Sequence, residues 1–161
     1  MNIGLDAGGV IFIHDRTHTR GDTSQTEQFM PGCVEYVEKL AKDGHRIFVN
    51  SFAGIARGEN TRKAIEQNMK EWIPKENVFV VGDRKDKWII CKEQKLQIMV
   101  DDRYDVLQTI DQKFRETGLQ PPLLFWFSEE QRRGSKYVQV TTWEELYSKI
   151  SRAHTNSGLK K

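Results

Sequence analysis

The sequence has few cysteines, few prolines and no long apolar segment. Its 161 residues include two cysteines and four prolines. Cys33 and Cys91 lie far apart and match no metal-binding or redox spacing, so they predict reduced thiols in a cytosol-like compartment. No apolar run approaches the roughly 20 residues that a membrane-spanning helix needs. Because the chain opens directly into an apolar strand, we expect no signal peptide, no membrane partner and a cytoplasmic location.

An excess of charge of either sign is also missing. The chain carries 25 Lys and Arg against 23 Asp and Glu, a formal net charge of +2. This balance gives no reason to expect a nucleic acid or an anionic membrane as partner. Hydrophobic residues make up 37% and charged residues 30% of the chain, as in soluble globular proteins. The length fits one domain with a buried core.

Short apolar runs alternate with segments of helical periodicity. The predicted strands are 2–6, 46–50, 78–81, 96–100, 123–127 and 137–140, and the predicted helices are 33–43, 60–72, 87–93, 103–117 and 142 to about 150. This alternation predicts a three-layer α/β/α, Rossmann-like domain with a central, mainly parallel sheet of five or six strands. We expect residues 1–150 to form this single domain and residues 151–161 to form a flexible polar tail.

Polar side chains stand where three of the predicted strands end. They are Asp6, Ser51 and the pair Asp101 and Asp102. Gly8 and Gly9 follow the first acid, and Lys87 opens the helix before the fourth strand. Because parallel strands share a carboxyl edge, these groups should meet there. Carboxylates with a backbone carbonyl suit Mg²⁺, and a hydroxyl with an ammonium suits phosphoryl oxygens.

Some of these residues also have an interpretation that involves no active site. Asp102 could be the N-cap of the helix that follows it, a role compatible with metal binding. Ser51 could be an ordinary loop or capping serine. Lys63 is a weaker rival for the role of Lys87, on a helix face that is expected to be solvated.

The order of these motifs resembles the haloacid dehalogenase (HAD) superfamily of Mg²⁺-dependent phosphohydrolases. The order is Asp-x-x-Gly-Val, a strand-ending Ser, a Lys before a strand, and a strand followed by Asp-Asp, and it covers roughly residues 2–127. Asp-Ala-Gly-Gly-Val-Ile and Asp-Lys-Trp-Ile-Ile-Cys resemble an uncharacterised branch with a Gly-Gly first motif. Asp-Asp-Arg and Val-Gln-Val-Thr-Thr-Trp-Glu-Glu-Leu are similar to deoxyribonucleotidases.

The resemblance implies a role for each matching residue. Asp6 would be the nucleophile that forms an aspartyl-phosphate. Asp6, Asp101 and the Gly8 carbonyl would bind the metal, with Asp102 binding directly or through water. Lys87 would stabilise the developing charge and hold the Asp6 carboxylate in place.

The remaining implied contacts bind phosphate. The Ser51 hydroxyl and the N–H groups of Phe52 and Ala53 would hold the phosphoryl oxygens. Phosphate binding would therefore involve the end of the second strand, Lys87 and the metal together.

Gly8 is where the sequence departs from the superfamily. Its phosphatases place a second Asp there, which protonates the leaving oxygen, and a glycine has no proton to give. General acid catalysis is worth about 10²–10⁴-fold, so turnover of alkyl phosphates should be slow. The polar segment 14–30 is expected to be a small flap, and its His14, Asp15 or His18 could supply the acid instead.

The spacing between motifs leaves no room for a full cap domain, so we expect an open site. An open site admits a small molecule, a nucleic-acid end or a phosphoprotein, or it is covered by a second subunit. The first hypothesis is a phosphomonoester hydrolase, and the second is a catalytically impaired pseudo-phosphatase that binds a metal and a phosphorylated partner. Carbon–halogen or carbon–phosphorus cleavage is a third, weaker hypothesis, because the enzymes of the superfamily that catalyse it also lack the second Asp. Asp101 and Asp102 favour a metal and therefore argue against the metal-free dehalogenases.

Overall fold

The computed structural model describes residues 1–13 and 27–159, with side chains as far as Asn156. The strands are β1 (Asn2–Leu5), β2 (Arg46–Phe52), β3 (Val78–Val81), β4 (Ile98–Asp101), β5 (Leu123–Phe127) and β6 (Val138–Val140). The helices are α1 (Cys33–Lys42), α2 (Ile55–Met69), α3 (Lys87–Glu93), α4 (Tyr104–Glu116) and α5 (Trp143–Leu159). Short 3-10 turns cover Lys75–Asn77 and Arg84–Asp86.

The six strands form one sheet in the order β3-β2-β1-β4-β5-β6, and every pair is parallel. β1 lies at the centre, where Leu5 is in register with Val49 of β2 and Val100 of β4. The carboxyl ends of β2, β1 and β4 therefore lie side by side. The predicted Rossmann-like α/β fold with a parallel sheet is confirmed.

Helices cover both faces of the sheet, because successive strand residues point to opposite sides and both sides are apolar. One core layer packs α1, α2 and α5 against residues such as Leu5, Ile47 and Val49. The other packs α3 and α4 against Phe48 and Met99. The α3 layer is the one that reaches the functional site. No helix in residues 1–13 and 27–159 is long and apolar enough to cross a membrane.

Helix α2 begins at Ile55, earlier than the predicted residue 60. The sequence suggests a loop here because Gly54 and Gly58 both disfavour helix. Gly58 has a packing reason to be in the helix, since a Cβ at this position would lie 3.0 Å from Cγ1 of Val80. Close contact between α2 and β3 therefore accounts for a glycine that the sequence pattern assigns to a loop.

Helix α5 runs to Leu159, so the prediction that it ends near Ile150 is wrong. Its start is as predicted, because the Thr142 hydroxyl accepts a hydrogen bond from the Glu145 N–H at 3.1 Å. Beyond Ile150 the His154 ring meets the His45 ring edge-on, with centroids 4.8 Å apart. This contact ties the segment predicted as a tail to the body of the domain.

His45 should make the stability of the protein depend on pH. It is buried, with Nδ1 2.9 Å from the Met1 amino group. Burial, and then the Met1 amino group, lower the pKa of His45 from 6.5 to about 4. Between these values the unfolded chain binds a proton that the folded protein does not, so stability falls as pH drops through this window.

The expected size of the effect is about 1–3 kcal/mol over that window, and His45→Gln should remove it. Urea unfolding of both proteins at pH 7.5, 5.5 and 4.5 measures it. Comparing the two proteins isolates His45 from the other titrating groups. Parallel pH profiles for wild type and variant would contradict the assignment.

Candidate active site

Asp6 and Asp101 meet at the centre of the carboxyl edge of the sheet. The Asp6 N–H donates to the Val100 carbonyl at 2.9 Å, which continues the pairing of β1 with β4. The Asp6 residue is 6% exposed and Asp101 is fully buried. Two buried carboxylates at adjacent strand ends require a compensating cation, since unpaired buried charge is costly.

Lys87, the first residue of α3, supplies that cation. Its Nζ donates to Oδ1 of Asp6 at 2.9 Å and to Oδ2 of Asp101 at 2.7 Å. The Lys87 side chain is 3% exposed. The structure thus brings together an acid, a lysine and a second acid that lie 81 and 14 positions apart in the sequence.

Burial raises the pKa values of Asp6 and Asp101 to about 6, although Lys87 works in the opposite direction at both. Burial also works against the Lys87 ammonium, but the two carboxylates raise its pKa above the usual value. Well above pH 6, Asp6 and Asp101 are therefore two carboxylates that share one Lys87 ammonium. This leaves one net negative charge in a dry site, which favours binding of a further cation.

Asp102 completes a set of oxygen ligands. One carboxylate oxygen from each of Asp6, Asp101 and Asp102 lies within 4.8 Å of the others. The Trp126 indole N–H donates to the Asp102 carbonyl at 3.1 Å and holds this residue in place. Three carboxylates are hard oxygen donors of the kind that Mg²⁺ takes while keeping several waters, so the donor set fits this ion.

Asp102 does not stand at the N-cap position of α4. Arg103 occupies that position, and its side chain makes no capping hydrogen bond. The Arg103 N–H instead binds Oδ1 of Asp101 at 2.9 Å. The alternative interpretation of Asp102 as an N-cap is therefore wrong.

The two glycines after Asp6 have different conformations. Gly9 has a φ of 82°, in the left-handed region that favours glycine, whereas Gly8 does not have a positive φ. A Cβ on Gly9 would also collide with the Asp102 carboxylate, so no larger residue fits at this position. Gly8 is half-buried in the turn closed by hydrogen bonds to the Ala7 carbonyl. The metal contact of the Gly8 carbonyl remains a prediction.

The predicted phosphate-binding residues lie at the end of β2. Ser51 is buried within the strand, on the face that carries Val49, and Phe52 is 37% exposed. The Ala53 N–H already donates to the Val81 carbonyl at 3.3 Å, so it could hold a phosphoryl oxygen only by sharing or breaking this bond. The phosphate contacts of all three residues remain predictions.

The remaining candidates are the rival lysine, Lys63, and the three flap residues. Lys63 is exposed on α2, and it is Lys87 that pairs with the acids of the cluster. His14, Asp15 and His18, predicted as substitute acids in a flap, lie outside the described residues.

Asn50 contacts the main chain of Lys87, and the motif analysis missed it. Strand alternation puts it on the α3 face of β2, with Phe48, and it is fully buried. Its Nδ2 donates to the Lys87 carbonyl at 2.9 Å. The available signal was an amide residue inside an apolar strand, directly before Ser51, where burial requires a polar partner.

No protein-family model matches the sequence, and no curated protein matches it. Solved structures do match the fold. A HAD-superfamily hydrolase from Ehrlichia chaffeensis has a TM-score of 0.65 at 10% identity, with 94% of this chain and 96% of that chain covered. A HAD-like hydrolase from Xanthomonas campestris has a TM-score of 0.65 at 10% identity, covering 98% and 97%.

A third match is a D,D-heptose bisphosphate phosphatase from B. bronchiseptica, complexed with magnesium and phosphate. Its TM-score is 0.65 at 13% identity, with 94% of this chain and 98% of that chain covered. The chain has the HAD-like fold. At these identities the matches establish the fold alone. The proposed Gly-Gly branch and the similarity to deoxyribonucleotidases remain predictions.

Lys87 should couple stability to Mg²⁺. Lys87→Met leaves Asp6 and Asp101 buried without their shared cation, which should lower the free energy of unfolding by about 3–5 kcal/mol in EDTA at pH 7.5. Mg²⁺ should then stabilise the variant more than the wild type, because it supplies the missing positive charge. Urea unfolding with and without Mg²⁺ measures both effects.

The matched control is Lys85→Met, which removes an exposed lysine two positions away. It should change neither the stability nor the Mg²⁺ response. An equal Mg²⁺ response in wild type and Lys87→Met would show that the ion does not bind beside this ammonium.

Proposed function

We propose that this protein is a Mg²⁺-dependent phosphomonoester hydrolase that works through Asp6. The observation that carries the proposal is the Lys87 bridge between Asp6 and Asp101, with Asp102 beside them. A buried lysine joined to a strand-end acid restrains that acid, and two further acids can bind a cation next to it. Such a cluster suits attack on a phosphoryl group, where charge builds up on oxygen.

In the proposed reaction a carboxylate oxygen of Asp6 attacks phosphorus, and the bond to the leaving oxygen breaks. Water then attacks the aspartyl-phosphate and releases inorganic phosphate with the carboxylate restored. Lys87 holds Oδ1 of Asp6 and offsets negative charge during both steps. Mg²⁺, when bound by Asp6, Asp101 and Asp102, would shield the phosphoryl oxygens and orient the group.

The fold supports this chemistry, since the heptose bisphosphate phosphatase of the same fold contains magnesium and phosphate. Gly8 supports the second candidate, a pseudo-phosphatase that binds a phosphorylated partner without efficient turnover. Glycine has no acidic side chain, so this position cannot protonate the leaving oxygen.

The substrate is proposed to be a phosphate on a small molecule, on a nucleic-acid end or on a protein. Between Ser51 and Lys87 the chain forms α2, β3 and two 3-10 turns, with no inserted cap domain. The site would then be open on the β2 side, or covered by a second subunit.

A structure with Mg²⁺ and beryllium fluoride separates the two candidates. A fluoride adduct bonded to Asp6, together with measurable turnover of an aryl phosphate, is the result expected of a hydrolase. Mg²⁺ bound at Asp101 without an adduct, and without turnover, would favour the pseudo-phosphatase. Failure of Mg²⁺ to bind at all would overturn both.

The proposed substitute acids can be tested by substrate choice. If one of His14, Asp15 and His18 protonates the leaving oxygen, removing it should slow alkyl phosphate turnover by about 10²-fold or more and aryl phosphate turnover much less. Steady-state assays of His14→Ala, Asp15→Asn and His18→Ala test this, and a flap acid found in this way would leave Gly8→Asp with little to add. Equal effects on both substrates in all three variants would exclude a flap acid.

A further inference from the structure

The Asn50 side chain is buried between β2 and α3. Its Nδ2 lies 2.9 Å from the Lys87 carbonyl, 3.6 Å from Cys91 Sγ and 3.8 Å from Met99 Sδ. Both sulfurs are weak acceptors, so the Lys87 carbonyl is its main partner. Within the described residues Oδ1 of Asn50 has no hydrogen-bond partner.

An unpartnered buried oxygen costs stability, and an apolar side chain in this pocket would avoid that cost. The amide therefore contributes something that packing alone does not. Its contribution is the N–H donor, which acts on the main chain of Lys87 and not on the ammonium. The amide nitrogen must face the Lys87 carbonyl, because the flipped amide would place Oδ1 of Asn50 against the carbonyl oxygen.

Helix α3 needs such a restraint. It has only seven residues, and the side chain of its N-cap residue, Asp86, makes no capping hydrogen bond. The nearest capping side chain is Asp83, which accepts from the Lys85 N–H on the exposed 3-10 turn before the helix. Lys87 is its first residue, so fraying of the first turn would move the ammonium away from both carboxylates. The Asn50 hydrogen bond anchors this turn to β2, in the middle of the sheet.

We propose that Asn50 is a positioning residue for Lys87. Its amide fixes the first residue of α3 so that the ammonium sits between Asp6 and Asp101. The structural part of this proposal is independent of the reaction. Its kinetic part rests on the proposed function, because a misplaced Lys87 ammonium slows turnover only if the reaction uses that charge.

Asn77 provides a matched control. It is also buried, and its Nδ2 donates to the Ile47 carbonyl at 3.2 Å. Ile47 lies in β2, the strand of Asn50, near the opposite end. Asn50→Ala and Asn77→Ala therefore each remove one buried amide–carbonyl hydrogen bond. Asn50→Ala should lose no more stability than Asn77→Ala, because it also removes the unpartnered Oδ1. A change at Lys87 is expected only in the Asn50 variant.

The first measurement is the rate at which acetic anhydride modifies Lys87, read by mass spectrometry with the exposed Lys85 as internal reference. Asn50→Ala should raise the Lys87 rate several-fold, whereas Asn77→Ala should leave it near the wild-type value. Asn50→Asp keeps the size of the side chain and replaces the donor by an acceptor, so it should behave like Asn50→Ala. Equal Lys87 rates in the Asn50 and Asn77 variants would overturn the proposal.

The second measurement is turnover of an aryl phosphate. Asn50→Ala should lower kcat at least tenfold with little change in KM, and should cause no further loss in a Lys87→Met background. Losses that multiply in the double variant would show that Asn50 does not act through Lys87. If the wild type turns over no phosphomonoester, the proposed function fails, and the labelling comparison still decides the role of Asn50.

Discussion

Asp6→Asn should remove phosphatase turnover, with kcat reduced by at least about 10³-fold for aryl and alkyl phosphates alike. An amide oxygen is a poor nucleophile and cannot form the proposed aspartyl-phosphate. The amide has nearly the same size as the carboxylate and keeps an oxygen that can accept from Lys87. The variant should therefore stay folded, which circular dichroism and urea unfolding will show.

The control for Asp6→Asn is Asp105→Asn, at an exposed acid in the first turn of α4 that pairs with Arg103. It should retain wild-type kcat and KM. Beryllium fluoride should form an adduct with the control protein but not with Asp6→Asn. Substantial turnover by Asp6→Asn would mean that water or another group attacks the phosphorus directly.

Gly8→Asp should raise turnover of alkyl phosphates by about 10²–10⁴-fold. This expectation follows from the resemblance to superfamily phosphatases, which place an acid at this position. Gly8 is half-buried two residues after Asp6, and its φ is not positive, so the backbone admits a side chain. Aryl phosphates should gain much less, because their leaving oxygen departs without a proton.

Gly9→Asp is the matched control for Gly8→Asp. It adds the same side chain one residue later, where φ is 82° and a Cβ would collide with the Asp102 carboxylate. This variant should weaken Mg²⁺ binding and gain no activity. A folded Gly8→Asp protein whose alkyl and aryl turnover rise equally, or not at all, would show that the missing acid does not limit the reaction.

The architecture was predictable because a parallel sheet covered on both faces is built from continuous apolar strands. The bounds of β3, β5 and α3 agree with the sequence prediction. The start of α2 was not predictable from propensity, since the benefit of Gly58 lies in its contact with Val80, a residue of a different element. The end of α5 was missed for a similar reason, because His154 contacts His45 of a distant loop.

The meeting of Asp6, Lys87 and Asp101 could be expected from the shared edge of parallel strands. The hydrogen bond from Asn50 to the Lys87 carbonyl could not be expected, because strand alternation and the position of α3 decide which carbonyl the amide reaches. The same limit applies to the Ala53 N–H, whose bond to Val81 depends on how far β2 and β3 stay paired. Contacts that depend on the register between elements can be identified only from the three-dimensional structure.

The paired glycines after the first strand divide two tasks between adjacent positions. Gly9 is subject to a steric requirement, because any larger residue would push aside the Asp102 carboxylate. Gly8 does not have a positive φ, so its backbone conformation does not require glycine. Under the proposed function, this position decides whether the leaving oxygen has a proton donor. Under the proposed function, a single codon change at Gly8 would therefore alter leaving-group preference and leave the arrangement of Asp6, Asp101 and Asp102 unchanged.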